Sequence, residues 1–125
     1  MKNQYYKKIK SKNKYREFIK VLNGVLQLSD READVLSLLV QLDTEWPAGF
    51  VNAKNILSTD SRKAIMKETN VNKNNLSKYL AVFKDKNIIV DNGDGTYTVN
   101  KIFIPKLIGD DLIEVKFILD YGEVN

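Results

Sequence analysis

The fold of this chain is decided by residues 61–99, which read SRKAIMKETNVNKNNLSKYLAVFKDKNIIVDNGDGTYTV. Their order predicts a helix, a tight turn, a second amphipathic helix and a two-stranded hairpin. Residues 58–60 are good N-caps for the first helix, so we expect it to begin near Ser61. Asn70 is predicted to end that helix because Asn tolerates the left-handed backbone conformation that such a turn demands. Asn72 is expected to cap the second helix.

The second helix has an apolar and a polar side. Leu76, Tyr79, Leu80 and Phe83 share one side, which is predicted to face the core, and polar residues occupy the other side. The polar side is therefore the first candidate for a binding surface.

The hairpin follows the second helix directly. Residues 88–90 are strand-like, Asn92-Gly93-Asp94-Gly95 supplies a tight turn, and residues 96–104 are expected to return as a second strand that Pro105 ends. Residues 112–119 are again β-prone. We predict that they either add a strand to the sheet or meet the edge of a partner's sheet.

Two further helices are predicted before residue 58. The apolar residues of 15–26 fall at helical spacing, although Asn23-Gly24 can end this helix early and residues 21–28 also fit an extended segment. Ser29 and Glu32 predict a capping box for a helix that continues to about Glu45. Residues 50–57 fit either a short helix or an extended link.

Composition excludes several classes of function. The chain has 125 residues, which suits one domain, and it contains no Cys and no His. Disulfides, zinc fingers, thiolate nucleophiles and imidazole bases are therefore excluded, and we expect no enzyme, no metal and no cofactor. No apolar run is long enough to span a bilayer, and residues 1–20 lack the apolar core of a signal peptide. The expected location is the cytoplasm, without contact to a membrane.

Positive charge is concentrated at the N-terminus. Residues 1–20 hold eight Lys and Arg against the single acid Glu17, whereas the other 105 residues hold 12 basic and 15 acidic side chains. We predict a flexible basic arm over residues 1–13 and one domain over residues 14–125 that ends in a β segment. A basic arm on a mildly acidic body favours contact with a polyanion, and a solvated terminus that only aids solubility is the alternative.

Residues 69–80 resemble the turn and recognition helix of winged helix-turn-helix regulators. In that family a left-handed or small residue, an apolar residue and a polar cap precede the second helix, and Asn70, Val71 and Asn72 match those roles. With residues 29–45 as the first helix, the resemblance covers roughly 75 residues. It implies an α+β fold of the winged helix-turn-helix type, with three to four helices and a small antiparallel sheet.

The resemblance also implies DNA binding by a transcriptional or replication regulator of a bacterium, phage or plasmid, with the 72–86 helix in the major groove of double-stranded DNA. Asn bonds bidentately to adenine, Lys favours guanine or phosphate, and cations on the preceding helix or the arm hold the DNA backbone. The candidate DNA-binding residues are Lys73, Asn74, Asn75, Ser77 and Lys78 on the second helix, Arg62, Lys63 and Lys67 on the preceding helix, and Lys7, Lys8 and Lys10 in the arm.

The hairpin departs from the family pattern because its tip carries Asp91 and Asp94 and no Arg. These carboxylates repel phosphates, so we expect the wing to be structural or to face a protein. The alternative function is a winged-helix interaction module that docks on a polymerase, replication or phage protein without direct DNA contact. A homodimer also fits the resemblance, since helix-turn-helix proteins commonly use two half-sites.

Overall fold

The computed structural model of the chain describes residues 2–10, 14–109 and 112–120, with side chains described for residues 14–105. The described residues form four helices and two small antiparallel sheets. The elements in chain order are β1 (Lys2–Lys10), α1 (Lys14–Leu26), α2 (Asp30–Thr44), α3 (Thr59–Thr69), α4 (Lys73–Asp85), β2 (Ile89–Asp91), β3 (Tyr97–Val99), a 3-10 turn (Lys101–Phe103), β4 (Lys106–Gly109) and β5 (Leu112–Asp120).

The two N-terminal helices form as the sequence predicts. The Ser29 hydroxyl accepts a hydrogen bond from the Glu32 amide at 3.2 Å, and the Glu32 carboxylate accepts from the Ser29 amide at 3.0 Å, which confirms the capping box of α2. Helix α1 continues past Gly24, so the extended alternative for residues 21–28 is wrong over the helical part. Asn23 supports the end of α1, because its side-chain oxygen accepts from the Leu28 amide at 2.7 Å.

The hydrophobic core lies between the four helices and the β2–β3 hairpin. It contains side chains from every one of these elements, including Ile19, Leu36, Ile65, Phe83 and Val99, and the first four of these are fully buried. Burial of a side chain of this size stabilises the fold by about 1.5–3 kcal/mol. The core therefore fixes the relative positions of α3, α4 and the hairpin.

The hairpin is shorter than the sequence predicts. Strand β3 ends at Val99, whereas we expected a strand over residues 96–104. Asn100 explains the difference, because its side-chain oxygen accepts a hydrogen bond from the Ile102 amide at 3.2 Å and begins the 3-10 turn. This local side-chain bond competes with continued strand pairing.

The outer edge of β3 is closed by residues that precede α3. The Ile56 amide donates to the Tyr97 carbonyl at 3.1 Å, and the Tyr97 amide donates to the Asn55 side chain at 3.1 Å. The Val99 amide donates to the Asp43 carboxylate at 2.7 Å. Residues 50–57 therefore form a link and not a short helix, so the helical alternative is wrong. The link contains bends at residues 51–53 and a turn at residues 56–57, and it contacts the outer edge of β3 through Asn55 and Ile56.

A second sheet contains the segments near the two chain ends. Its order is β1-β5-β4, with both pairs antiparallel, and β1 pairs with β5 from Lys2↔Asp120 to Lys10↔Leu112. The β-prone segment 112–119 is thus confirmed as a strand, although it lies in a sheet separate from the hairpin. Our prediction of a flexible arm is wrong for residues 2–10, and residues 1 and 11–13 lie outside the described ranges. The partner strand is about one hundred residues away in sequence, so no local pattern reveals this pairing.

The fold class is α+β, with four helices and a small two-stranded antiparallel sheet, as predicted at that level. Among the described residues, no helix combines the length and the apolar character that crossing a membrane requires.

Candidate nucleic-acid interface

The turn between α3 and α4 has the geometry that the sequence predicts. Asn70 adopts the left-handed conformation, with φ 56° and ψ 27°, and its amide donates to the Met66 carbonyl at 2.9 Å. Val71 is buried and anchors the turn in the core. The Asn72 side chain then accepts from the Asn75 amide at 2.8 Å, which confirms Asn72 as the N-cap of α4. These local bonds set the angle at which α4 leaves α3.

Helix α4 separates its apolar and polar residues cleanly. Leu76, Leu80 and Phe83 are buried, and Tyr79 is partly buried. The five candidate residues of α4 are all exposed: Lys73, Asn74, Asn75, Ser77 and Lys78. The protein's own body covers none of them, so the polar side of α4 is accessible to a large partner such as a nucleic-acid duplex.

The cations of α3 lie beside the start of α4. Lys63 and Lys67 are exposed, whereas Arg62 is half-buried, and its Nε donates to the Leu57 carbonyl at 2.9 Å. Arg62 and Lys63 line a groove of about 540 Å³ together with Lys73 of α4. The groove is also lined by the apolar residues Leu57, Met66 and Leu76 and by Thr59. The structure thus brings three of the predicted cations together across the α3–α4 junction.

Helix α4 differs from the other three helices in the charge of its first turn. The first turns of α1, α2 and α3 contain acids, which favour a helix N-terminus, but the first turn of α4 contains none and begins with Lys73. Residues 59–86 hold seven Lys and Arg against three Asp and Glu. The partial positive charge at the start of α4 is therefore not neutralised by an adjacent carboxylate on that helix, and an anion is favoured there.

The three lysines of the predicted arm, Lys7, Lys8 and Lys10, lie in β1. Their backbone positions are opposite Val115, Glu114 and Leu112 of β5. Their side chains lie outside the range whose side chains are described. Their role in DNA binding therefore stays a prediction.

The tip of the hairpin uses its carboxylates to hold its own backbone. Asp91 accepts from the Gly93 amide at 2.8 Å, and Asp94 accepts from the Thr96 amide at 3.0 Å and from the Thr96 hydroxyl at 2.6 Å. The hydrogen bonds from Thr96 lower the pKa of Asp94, so this carboxylate stays charged at neutral pH. Within residues 14–105, no three His, Cys, Asp or Glu side chains come together as a metal site.

Two contacts made by lysines near this surface were not predicted from the sequence. Lys84 places its ammonium group 4.8 Å from the centre of the Tyr97 ring, which links α4 to the hairpin. Lys86 donates to the Leu26 carbonyl at 3.1 Å and links the end of α4 to the end of α1. Both pairs are distant in sequence, so only the fold brings them together.

No protein-family model, curated protein or solved structure matches this chain.

Proposed function

We propose that this protein is a winged helix-turn-helix protein that binds double-stranded DNA and regulates transcription or replication. The exposed polar side of α4 is the observation that carries the proposal. It follows a left-handed turn at Asn70, it is capped by Asn72, and it projects from a helix whose other side is buried. A helix presented in this way fits the major groove of B-form DNA, which is about 12 Å wide.

The positive charge of the α3–α4 surface supports the same function. Lys73 at the start of α4 and Lys63 beside the groove are suited to phosphate oxygens, which fix the register of a protein on the duplex. The polar residues further along α4 are then available for base edges. We also propose that two copies act together, because one recognition helix covers only one half-site.

The test measures binding of the full chain to a labelled random-sequence duplex by fluorescence anisotropy, over a series of salt concentrations. We expect binding that weakens steeply with salt, because bound lysines release counterions from the DNA. The double variant Lys73→Ala/Lys78→Ala should reduce the slope of log K against log salt by about 1.8, that is, by about 0.9 per lost phosphate contact.

The matched control removes the same charge elsewhere. Lys20 on α1 and Lys101 after β3 are exposed but lie outside α3 and α4, so Lys20→Ala/Lys101→Ala should leave the slope unchanged. Equal slopes for the two double variants would place the contact on another surface. Lack of binding at low salt would refute the DNA proposal.

The acidic tip of the hairpin favours a second candidate function. Asp91 and Asp94 are acidic and exposed, so this end of the molecule repels phosphates and suits a protein with a basic surface. We propose, as the alternative, a winged-helix module that docks on a polymerase or replication protein. Lack of DNA binding in the anisotropy experiment would favour this alternative.

A further inference from the structure

We infer that Asn74 is the residue through which α4 selects an adenine in its DNA site. This inference rests on the proposed DNA binding and adds a base preference to it. The five exposed candidate residues of α4 are not equivalent, because only some of them lie opposite the buried side of the helix.

Helix geometry separates Asn74 from its neighbour. At 3.6 residues per turn, Asn74 lies about 160° around the helix axis from the buried Leu76, whereas Asn75 lies only about 100° from it. Asn74 is itself exposed, and its outward line continues through three further exposed residues: Lys78, Ala81 and Asp85. A duplex that approaches α4 from outside therefore meets Asn74 before Asn75, which lies on the flank of the helix.

The Asn74 side chain takes no part in the local hydrogen bonds that engage several other Asn residues of 14–105. The side chains of Asn23, Asn55, Asn72 and Asn100 are engaged in caps, turns and the edge of the hairpin. Within residues 14–105, the Asn75 side chain is exposed and makes no hydrogen bond, so position on the helix alone separates it from Asn74. The Asn74 side chain is likewise exposed and makes no hydrogen bond within this range. Its amide donor and its carbonyl acceptor are both available, and this pair matches the N6 donor and the N7 acceptor of adenine in the major groove.

The outward line also has a suitable length for base reading. From Asn74 to Ala81 the helix rises about 10 Å, which corresponds to about three base pairs at 3.4 Å each. Lys78, between them, is suited to guanine or a phosphate, and the methyl group of Ala81 is suited to the methyl group of thymine. Asn74 is the member of this line whose chemistry selects one base bidentately.

The experiment is selection of bound duplexes from a random pool by the full chain, followed by affinity measurements on the selected site and on single-base variants of it. We expect the parent protein to prefer adenine at one position by about 5- to 150-fold, the range of a bidentate contact. Asn74→Ala should abolish this preference and retain the preferences at other positions and the affinity for random DNA. Ala is a better helix former than Asn, so loss of the helix does not explain such a result.

Two further variants make the test specific. Asn75→Ala is the matched control and should retain the adenine preference. Asn74→Arg should move the preference at that position from adenine to guanine, because Arg bonds bidentately to guanine. An unchanged adenine preference in Asn74→Ala, or its loss in Asn75→Ala, would overturn the assignment. A parent protein that binds DNA without any base preference would overturn it and leave the proposed function standing, whereas a parent that binds no DNA would overturn both.

Discussion

Asp43 is predicted to be a main anchor of the hairpin, although it lies on α2. Its side chain is only 9% exposed, and its two oxygens have different partners. One accepts from the Val99 amide at 2.7 Å, and the other accepts from the Lys54 ammonium group at 3.1 Å. Replacing Asp43 with Ala leaves a buried backbone amide of β3 without its acceptor.

The cost of Asp43→Ala follows from these two contacts. A lost hydrogen bond to a charged acceptor costs about 1.5–3 kcal/mol. The ion pair adds a few tenths of a kcal/mol up to about 1 kcal/mol, because Lys54 is 41% exposed and solvent screens it. We expect the free energy of unfolding to fall by about 3 kcal/mol. For a chain of 125 residues, this lowers the melting temperature by about 11 °C.

The assay is urea denaturation and thermal unfolding followed by circular dichroism. Asp43→Asn keeps an oxygen that can accept from Val99 but removes the charge, so it should cost about 1 kcal/mol. Asp85→Ala is the control, since Asp85 is exposed near the C-terminus of α4, where a negative charge does not help the helix. A change below about 0.5 kcal/mol in Asp43→Ala would refute this account of the anchor.

Two other predictions concern single residues. Asn70→Gly should leave the free energy of unfolding nearly unchanged in urea denaturation. Asn70→Val should lower it by more than about 1 kcal/mol, because a β-branched residue resists the left-handed conformation. Equal effects of the two changes would contradict this reason. Tyr15 is buried and donates to the Glu45 carboxylate. Burial has the larger effect and the contact with Glu45 the smaller one, and together they raise the pKa of Tyr15 well above its ordinary 10.0. Since the folded state holds this proton more tightly than the unfolded state, Tyr15 stabilises the fold below about pH 10 and this contribution is lost as the pH rises further. Stability measured between pH 9 and about pH 12 should fall less in Tyr15→Phe than in the parent, and parallel curves would count against a role for this hydroxyl.

The parts of the fold that were predictable from the sequence are those with local causes. The cap at Ser29, the left-handed Asn70 and the cap at Asn72 each depend on residues within four positions in sequence. The polar side of α4 was predictable for the same reason, because helical spacing alone separates Asn74 and Lys78 from the buried residues.

The parts that could not be predicted depend on contacts between distant residues. Strand β1 is formed by pairing with β5, which lies more than one hundred residues later in the sequence. The many lysines of this segment predicted a solvated arm instead. The bond from Val99 to Asp43 spans 56 residues, and the bond from Tyr97 to Asn55 spans 42 residues. The groove between Arg62 and Lys73 likewise depends on how α3 and α4 pack together.

The closed outer edge of β3 has a consequence for how the molecule unfolds. Two strands of three residues each are too short to persist alone in water. Because α2 and the link before α3 hold the second side of β3, the hairpin cannot fray independently and opens only when the helices do. Amide protons of Tyr97 and Val99 should therefore exchange with solvent as slowly as those of the central helices, and the hairpin should behave as part of one cooperative unit.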